Sequence, residues 1–219
     1  HWKHRRQRQM CIRDSSSAGT DETLTLDDGT GTGTITLGSS ATSGSITLIG
    51  DSGITLTGNL VSTDTADGAI ALTGPVTLAG DITVDADANN TSVTFTSTVN
   101  SDGTPRDLTI NTGAGAIAMQ GVIGGSAELD VISINSATTG AGTIEITNTQ
   151  ADGAVSIGNS NTATLTLDGT AYTTTGTNSA QTYTADDYNL TGADITFTTA
   201  AGVVTLSLIH ISEPTRRIL

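Results

Sequence analysis

A three-residue pattern of apolar, small and apolar side chains recurs along most of this chain. Leu24-Thr25-Leu26 and Ile35-Thr36-Leu37 show it early in the chain, and Val93-Thr94-Phe95 and Leu108-Thr109-Ile110 show it in the middle. Neighbouring side chains of an extended strand point to opposite faces, so each triplet sends two apolar side chains one way and one small side chain the other. The pattern therefore predicts many short β-strands, each buried on one face. The remaining triplets are Ile46–Leu48, Ile54–Leu56, Ile70–Leu72, Val76–Leu78, Ile82–Val84, Ile117–Met119, Ile132–Ile134, Ile144–Ile146, Val155–Ile157, Leu165–Leu167 and Ile195–Phe197.

Turn-forming residues separate the triplets. Five Asp-Gly pairs lie between them, and such pairs tolerate a positive φ and mark tight turns. Each pair is compatible with a hairpin, which Asp-Gly often closes, or with a corner between the faces of a solenoid. No window shows apolar residues at helical spacing, so we predict no helices. The pairs are Asp28-Gly29, Asp67-Gly68, Asp102-Gly103, Asp152-Gly153 and Asp168-Gly169.

The spacing of the triplets predicts the architecture. An imperfect repeat of one short strand and one corner is typical of a stacked solenoid, in which two or three units complete a coil of roughly 20 to 30 residues. This chain then has room for about seven or eight coils. A β-sandwich array also fits such spacing, but it usually has longer strands and a more aromatic core, and only 3% of these residues are aromatic. We therefore predict an all-β parallel β-helix, with a β-sandwich array as the alternative.

Composition changes abruptly at both ends of the chain. Seven of the eight Lys and Arg residues lie before residue 15 or after residue 212, whereas 20 of the 22 Asp and Glu residues lie between. Met10–Ser15 (MCIRDS) and Ser207–Arg216 (SLIHISEPTR) resemble translated sequencing-adapter sequence, which recurs at the ends of metagenomic reading frames. We therefore predict artefactual or disordered tails at 1–15 and 207–219 around a repeat region at 16–206, which we expect to be a fragment of a longer protein.

The acidic repeat region limits the possible partners. Binding to a phosphate backbone or to an anionic membrane surface requires several Lys and Arg side chains, and this region contains only Arg106. It also lacks a run of about 18 apolar residues, which a transmembrane helix needs. We therefore expect no nucleic-acid partner and no membrane insertion of this segment.

Residues suited to catalysis are scarce. The repeat region contains no His and no Cys, so it has no nucleophilic triad. Its acidic pairs, Asp27-Asp28, Asp85 with Asp87, and Asp186-Asp187, are candidates for general acid and base groups on a glycan, but we interpret them as solvated turn acids, because the region has no His, no Lys and a single Arg to assist them. We predict a protein that is not an enzyme and has no catalytic residues. A β-helix polysaccharide lyase or hydrolase is the alternative.

The repeats also raise two binding functions, of a metal ion and of ice. The G-G-x-G-x-D repeat that binds Ca²⁺ in some β-rolls is absent, so we predict no metal site and no cofactor. Thr-x-Thr pairs such as Thr34/Thr36 and Thr94/Thr96 raise the alternative of an ice-binding solenoid. That function requires one pair per coil at a constant period, and the period here varies.

One stretch carries a family resemblance. The run from Val93 to Gly125 (VTFTSTVNSDGTPRDLTINTGAGAIAMQGVIGG), followed by Leu129–Asn135 (LDVISIN), resembles the repeats of filamentous-haemagglutinin-like and autotransporter-type bacterial surface adhesins. The resemblance implies a right-handed β-helical shaft, secreted or attached to the outer membrane. It also implies contact with a receptor or glycan on a host or neighbouring cell, and with adjacent repeats of the same chain. It carries no catalytic residues.

The same stretch contains the one position at which we predict a contact surface. Asp102, Arg106 and Asp107 lie in a looped-out corner that holds the only Arg of the repeat region and one rigid point, Pro105. A solvated surface loop with Arg106 paired to Asp102 or Asp107 is the alternative interpretation.

Overall fold

The structure is a computed structural model that describes residues 10–12, 23–29, 33–63, 68–137, 140 and 142–208. Short strands fill most of these residues, and one 3₁₀ turn, η1 (Asp87–Asn89), is present where we predicted no helix. The strands are β1 (Met10–Ile12), β2 (Leu24–Asp27), β3 (Ile35–Leu37), β4 (Ser40–Thr42), β5 (Ile46–Ile49), β6 (Ile54–Leu56), β7 (Leu60–Ser62), β8 (Ile70–Thr73), β9 (Val76–Leu78), β10 (Ile82–Asp85), β11 (Val93–Phe95), β12 (Val99–Ser101), β13 (Leu108–Asn111), β14 (Ile117–Met119), β15 (Ile132–Ile134), β16 (Thr143–Ile146), β17 (Thr149–Ala151), β18 (Val155–Ile157), β19 (Thr164–Leu167), β20 (Ala171–Thr174), β21 (Gln181–Ala185), β22 (Asp187–Leu190), β23 (Thr196–Thr199) and β24 (Val204–Leu208).

The strands form three parallel sheets around one axis. Sheet A contains β1, β3, β6, β9 and β12 and continues through β17, β20 and β23. Sheet B has the order β4-β7-β10-β13-β15-β18-β21-β24, and sheet C has the order β2-β5-β8-β11-β14-β16-β19-β22. From β2 onward the chain visits sheets C, A and B in turn, and each round is one coil, so the eight coils begin at the eight strands of sheet C. Coil 5 crosses sheet A through the Ile123 bridge instead of a strand. The protein is therefore a parallel β-solenoid, as the triplet spacing predicted.

The ladder hydrogen bonds exclude the alternative of a β-sandwich array. Every pairing between described strands is parallel, including the single-residue bridges through Ile123 that join the two parts of sheet A. A sandwich built from Asp-Gly hairpins would pair its strands antiparallel. Successive coils are 19 residues apart from Ile35 to Ile54 and 27 residues apart from Ile117 to Ile144. The variation lies in the corners, because the strands themselves stay in register.

The core is a set of apolar columns along the axis. In most described strands, buried and more exposed residues alternate, as in β3, β6, β11 and β14. In sheet C, Ile46, Ile70, Val93 and Ile117 follow one another in register, and each is at most 2% exposed. The triplets therefore place two side chains each in the core, as predicted. All five Phe and Tyr residues also point inward, three of them fully buried: Phe95, Tyr172, Tyr183, and at the last coils Tyr188 and Phe197.

Nine strands have no predicted triplet: β1, β4, β7, β12, β17, β20, β21, β22 and β24. Several of them place small polar residues inward, among them Ser40, Thr42, Ser62 and Thr149. The hydroxyls of Thr42 and Ser62 both donate to the carbonyl of Gly44 in a corner, at 2.6 Å and 3.0 Å. Thr42 and Ser62 can therefore be polar at inward positions, because their buried hydroxyls are satisfied by a corner carbonyl.

The proposed tail boundaries stay predictions. Residues 10–12 of the first proposed tail form β1, which pairs with β3 and lengthens sheet A by one strand. At the other end, β24 extends to Leu208. The remaining residues of both proposed tails lie outside the described residues, as does Asp67 of one Asp-Gly pair.

Candidate functional site

The corner between sheets A and B carries long irregular segments in coils 4, 5 and 7. Residues 102–107 connect β12 to β13, residues 124–131 connect the Ile123 bridge to β15, and residues 175–180 connect β20 to β21. The first coils cross the same corner with as few as two residues, at 38–39. The predicted contact residues Asp102, Arg106 and Asp107 all lie here, so we call this the A–B corner.

Arg106 is held by Asp102. The guanidinium donates from Nε to one carboxylate oxygen at 3.1 Å and from Nη2 to the other at 2.9 Å. This fork, together with a hydrogen bond from the Thr104 amide, lowers the pKa of Asp102. The Arg106 amide donates to the Ser101 hydroxyl at 3.1 Å, which closes the base of the loop. Of the two partners considered from the sequence, the structure pairs Arg106 with Asp102.

Asp107 hydrogen-bonds to the two neighbouring coils instead of to Arg106. Its carboxylate accepts the amide hydrogen of Val131 in the next coil at 3.0 Å, and its own amide donates to the Asp81 carboxylate of the preceding coil at 3.2 Å. Each carboxylate thus replaces a carbonyl at a corner where the sheet hydrogen bonds stop. Asp107 is therefore a link between coils, and of the three predicted contact residues it is the one with a clear structural role.

The carboxylates of four consecutive coils form an acidic column at this corner, made of Asp81, Asp107, Asp130 and Asp152. Burial raises the pKa of Asp130, and the charges of Asp107, Asp152 and Asp81 raise it further. The hydrogen bonds that Arg106 donates to Asp102 raise the pKa of Arg106, and the negative charge of Asp81 raises it further. The column therefore carries an unfavourable concentration of negative charge, which the Arg106 guanidinium partly offsets at one end.

Glu128 extends this acidic surface across three coils. Its carboxylate accepts hydrogen bonds from the side-chain amide of Gln150 on β17 and from the hydroxyl of Thr175 beyond β20, the latter at 2.7 Å. The Ser179 hydroxyl donates to the carbonyl of Asp152 at 2.7 Å. The loops of coils 5 to 7 are therefore tied to one another. Within the described parts of the chain, no three His, Cys, Asp or Glu side chains converge in a metal-binding arrangement.

The acidic pairs considered for catalysis lie at other corners. Asp85 ends β10 and Asp87 begins η1, so the chain does not stay extended between them. The Asp85 carboxylate accepts the Asp87 amide hydrogen at 3.1 Å. Burial and the Asp85 charge raise the pKa of Asp87. This pair is at the corner between sheets B and C, across sheet B from Arg106, so the structure does not bring the three together.

The other two acidic pairs also lie at corners. Asp27 ends β2 and accepts the Gly29 amide at 2.7 Å, and Asp28 follows it in the corner between sheets C and A. Asp186 occupies the single-residue corner between β21 and β22, and Asp187 begins β22. These positions fit carboxylates that shape turns.

Outward hydroxyl side chains are in better register than the sequence spacing suggested. On sheet B, six successive coils place a Thr or Ser at the same outward position: Thr83, Thr109, Ser133, Ser156, Thr182 and Thr205. The coils differ in length, but their corners absorb the difference. On sheet C the corresponding column is interrupted by Ala71, Ala118 and Glu145. No second Thr column runs beside this one on sheet B. The outward positions two residues further along the strands include Asp85 and Asn111.

Asparagines form corner links that the sequence did not reveal. The side-chain oxygens of Asn90, Asn100 and Asn148 accept backbone amides of the following coil, at 2.7 Å (Ala114), 2.9 Å (Ser126) and 2.6 Å (Thr170). The buried Asn135 reaches back by one coil, accepting the Thr112 amide at 2.7 Å and donating to the Gly113 carbonyl at 3.1 Å. These asparagines share no single position in the sequence: Asn135 and Asn148 come shortly after a strand, whereas Asn100 lies within β12.

No protein family, curated protein or solved structure significantly matches this chain. The class that the fold defines is therefore a β-solenoid repeat protein of eight coils. Among the described residues, no helix has the length and apolar character needed to cross a membrane.

Proposed function

We propose that this chain is a non-enzymatic shaft segment of a large bacterial surface protein, of the filamentous-haemagglutinin-like or autotransporter type. The observation that carries the proposal is the regularity of the structure. Apolar columns run through eight coils, and small polar side chains occupy the outer faces. With about 4.8 Å per coil, the eight coils span roughly 38 Å, so each coil adds length at nearly constant cross-section. Such a solenoid suits a spacer that is extended by adding repeats.

The acidic A–B corner is the best candidate for an adhesive contact. Its loops in coils 4, 5 and 7 are longer than in the first coils, and Asp102 and Glu128 have their carboxylates in arrangements fixed by hydrogen bonds. A partner would be a receptor or glycan on a host or neighbouring cell, outside the cell that makes the protein. Because the repeat region is strongly acidic, a neutral or basic partner surface would associate faster than an acidic one.

A polysaccharide lyase or hydrolase is the second candidate, and one observation favours it. Asp107, Asp130 and Asp152 come from consecutive coils, and burial together with the charges of Asp107 and Asp152 raises the pKa of Asp130. However, the Asp107 carboxylate is engaged by the Val131 amide and Arg106 by Asp102. Both groups are therefore occupied by structural bonds. Ice binding is disfavoured by the lack of paired Thr columns on sheet B.

One experiment separates the adhesive and catalytic functions. The full chain is coupled to beads and tested for retention on immobilised neutral glycans and on cultured host-type cells. The soluble protein is incubated in parallel with polygalacturonate and alginate. We expect retention that falls in the double variant Asp102→Asn/Arg106→Gln and not in Asp51→Asn, an exposed acid at another corner, with no depolymerisation. Depolymerisation that is lost in Asp130→Asn or Asp85→Asn would overturn the proposal.

A further inference from the structure

Four of the five Asp-Gly pairs lie within the described residues, and this dipeptide can react with itself. The carboxyl carbon of the aspartate bonds to the amide nitrogen of the glycine, which has no side chain to hinder the approach. The carboxyl group loses its hydroxyl and the amide loses its hydrogen, so one water molecule leaves and a succinimide ring forms. Water then opens either carbonyl of the ring. The products are the original aspartate and isoaspartate, in which the main chain runs through the side-chain carbon.

Two of these pairs are locked between coils. The Gly153 amide donates to the carbonyl of Asp130 at 2.9 Å, and the Gly169 amide donates to the Tyr172 hydroxyl at 3.0 Å. Both glycines also pack so closely on the preceding coil that a Cβ atom would collide with Asp130 at the first and with Asn148 at the second. Each amide nitrogen can therefore reach the carboxyl carbon of its aspartate only when the coil opens locally.

The pair Asp28-Gly29 is held by its neighbours. The Gly29 amide donates to the Asp27 carboxylate at 2.7 Å, and the Asp28 carboxylate accepts the amide hydrogen of Asp51 in the next coil at 3.4 Å. The nitrogen and the carboxyl group that would have to combine are thus both engaged in hydrogen bonds, which must break before the ring can close.

The pair Asp102-Gly103 is the exception. Both residues are exposed in the A–B corner, and Gly103 has a φ of 100° and no described atom within 4 Å of a Cβ built on it. Its amide has no hydrogen-bond partner among the described residues, whereas the next amide, that of Thr104, donates to the Asp102 carboxylate at 3.2 Å. The reacting nitrogen is therefore free, and the carboxyl group is already folded back over the chain.

We propose that Asp102-Gly103 is a site of spontaneous aspartate isomerisation and that Arg106 restrains the reaction. The protonated carboxyl group is the form that loses water, and the guanidinium holds both oxygens of the ionised form, at 3.1 Å and 2.9 Å. Isomerisation adds a carbon atom to the main chain between Asp102 and Gly103 and shortens the branch that carries the carboxylate. It therefore breaks the fork to Arg106 and changes the shape of the A–B corner. The modification does not depend on the proposed shaft function.

The test follows all four pairs in the full chain. The protein is incubated at mildly acidic pH, and samples are mapped by electron-transfer mass spectrometry, which distinguishes aspartate from isoaspartate within a peptide. We expect isoaspartate to appear first and most abundantly at Asp102. A parallel incubation in concentrated urea removes the fold. There we expect the four pairs to react at similar rates, because each aspartate is followed by the same residue.

Variants of the loop test the role of Arg106. Arg106→Gln should speed isomerisation at Asp102 by about two- to fivefold, the range that an exposed ion pair contributes, and Arg106→Lys should restore part of the protection. Asp102→Glu keeps a carboxylate but would have to close a larger ring, so we expect no comparable modification at that position. Circular dichroism verifies that each variant keeps the wild-type β content.

Three results would overturn the proposal. The first is isoaspartate that appears in the folded chain earlier at Asp28, Asp152 or Asp168 than at Asp102, or at none of the four. The second is a lead of Asp102 that is equally large in urea, because the order would then come from the sequence and not from the fold. The third is a rate in Arg106→Gln that does not exceed the wild-type rate.

Discussion

Replacing Leu72 with alanine tests whether the axial columns hold the coils together. Leu72 on β8 is fully buried and lies in register between Leu48 of the preceding coil and Phe95 of the next. The substitution removes three carbon atoms, worth about 0.8 kcal/mol each when buried, or about 2.4 kcal/mol. The cavity that remains after partial relaxation of its surroundings adds about 1 kcal/mol. We expect the free energy of unfolding to fall by about 3 to 4 kcal/mol.

The assay is urea unfolding followed by circular dichroism and by the fluorescence of the tyrosines in coils 7 and 8. Equal m-values for wild type and variant show that the free energies are comparable. The control is Thr94→Ala, an outward position on the neighbouring strand β11, with an expected change within about 0.5 kcal/mol. The reasoning is refuted if Thr94→Ala costs as much as Leu72→Ala, because inward and outward positions would then be equivalent.

Three further predictions concern polar groups. Asn135→Ala leaves the buried amide of Thr112 without its acceptor and should lower the free energy of unfolding by about 2 to 3 kcal/mol, whereas Asn161→Ala, at an exposed position, should have little effect in the same urea assay. Arg106→Gln breaks an exposed pair and should leave the thermal midpoint unchanged, since such pairs contribute little to stability. Burial raises the pKa of Tyr172 to about 12 and that of Tyr183 further. These phenols therefore oppose folding once the pH exceeds about 10, their unfolded pKa. An ultraviolet pH titration of the folded chain should show tyrosinate from Tyr172 and Tyr183 only well above about pH 10, and ionisation of all three tyrosines near about pH 10 in a folded chain would contradict this.

The architecture followed from the sequence where inward positions are aliphatic. Triplets such as Ile70–Leu72 and Ile132–Ile134 coincide with β8 and β15 because side-chain alternation is local and needs no knowledge of neighbouring coils. Strands such as β4 and β17 escaped prediction. Their inward residues, Ser40 and Thr149, are polar, and only the fold shows that they lie beside a corner.

The candidate site was predicted in part. Arg106 and Asp102 are four residues apart in one loop, so their pairing was accessible from the sequence. The contact of Asp107 with Val131 depends on which residues stack across coils of unequal length. The same dependence hid the hydroxyl column of sheet B, because the lengths of the corners are not encoded in the triplets. The outward Thr and Ser residues are irregularly spaced along the sequence but lie one coil apart along the solenoid axis.

The central claim is that the coils stack in register along a single axis. Pulsed electron–electron double resonance, which measures the distance between two spin labels, tests it most directly. In a Cys11→Ser background, one spin label at Thr36 is paired in turn with a second label at Gln150, Thr173 or Thr198 on sheet A. These positions lie five, six and seven coils away. At about 4.8 Å per coil the account predicts backbone separations of about 24, 29 and 34 Å, increasing evenly. Distances that stay constant or decrease from Gln150 to Thr198 would contradict the solenoid.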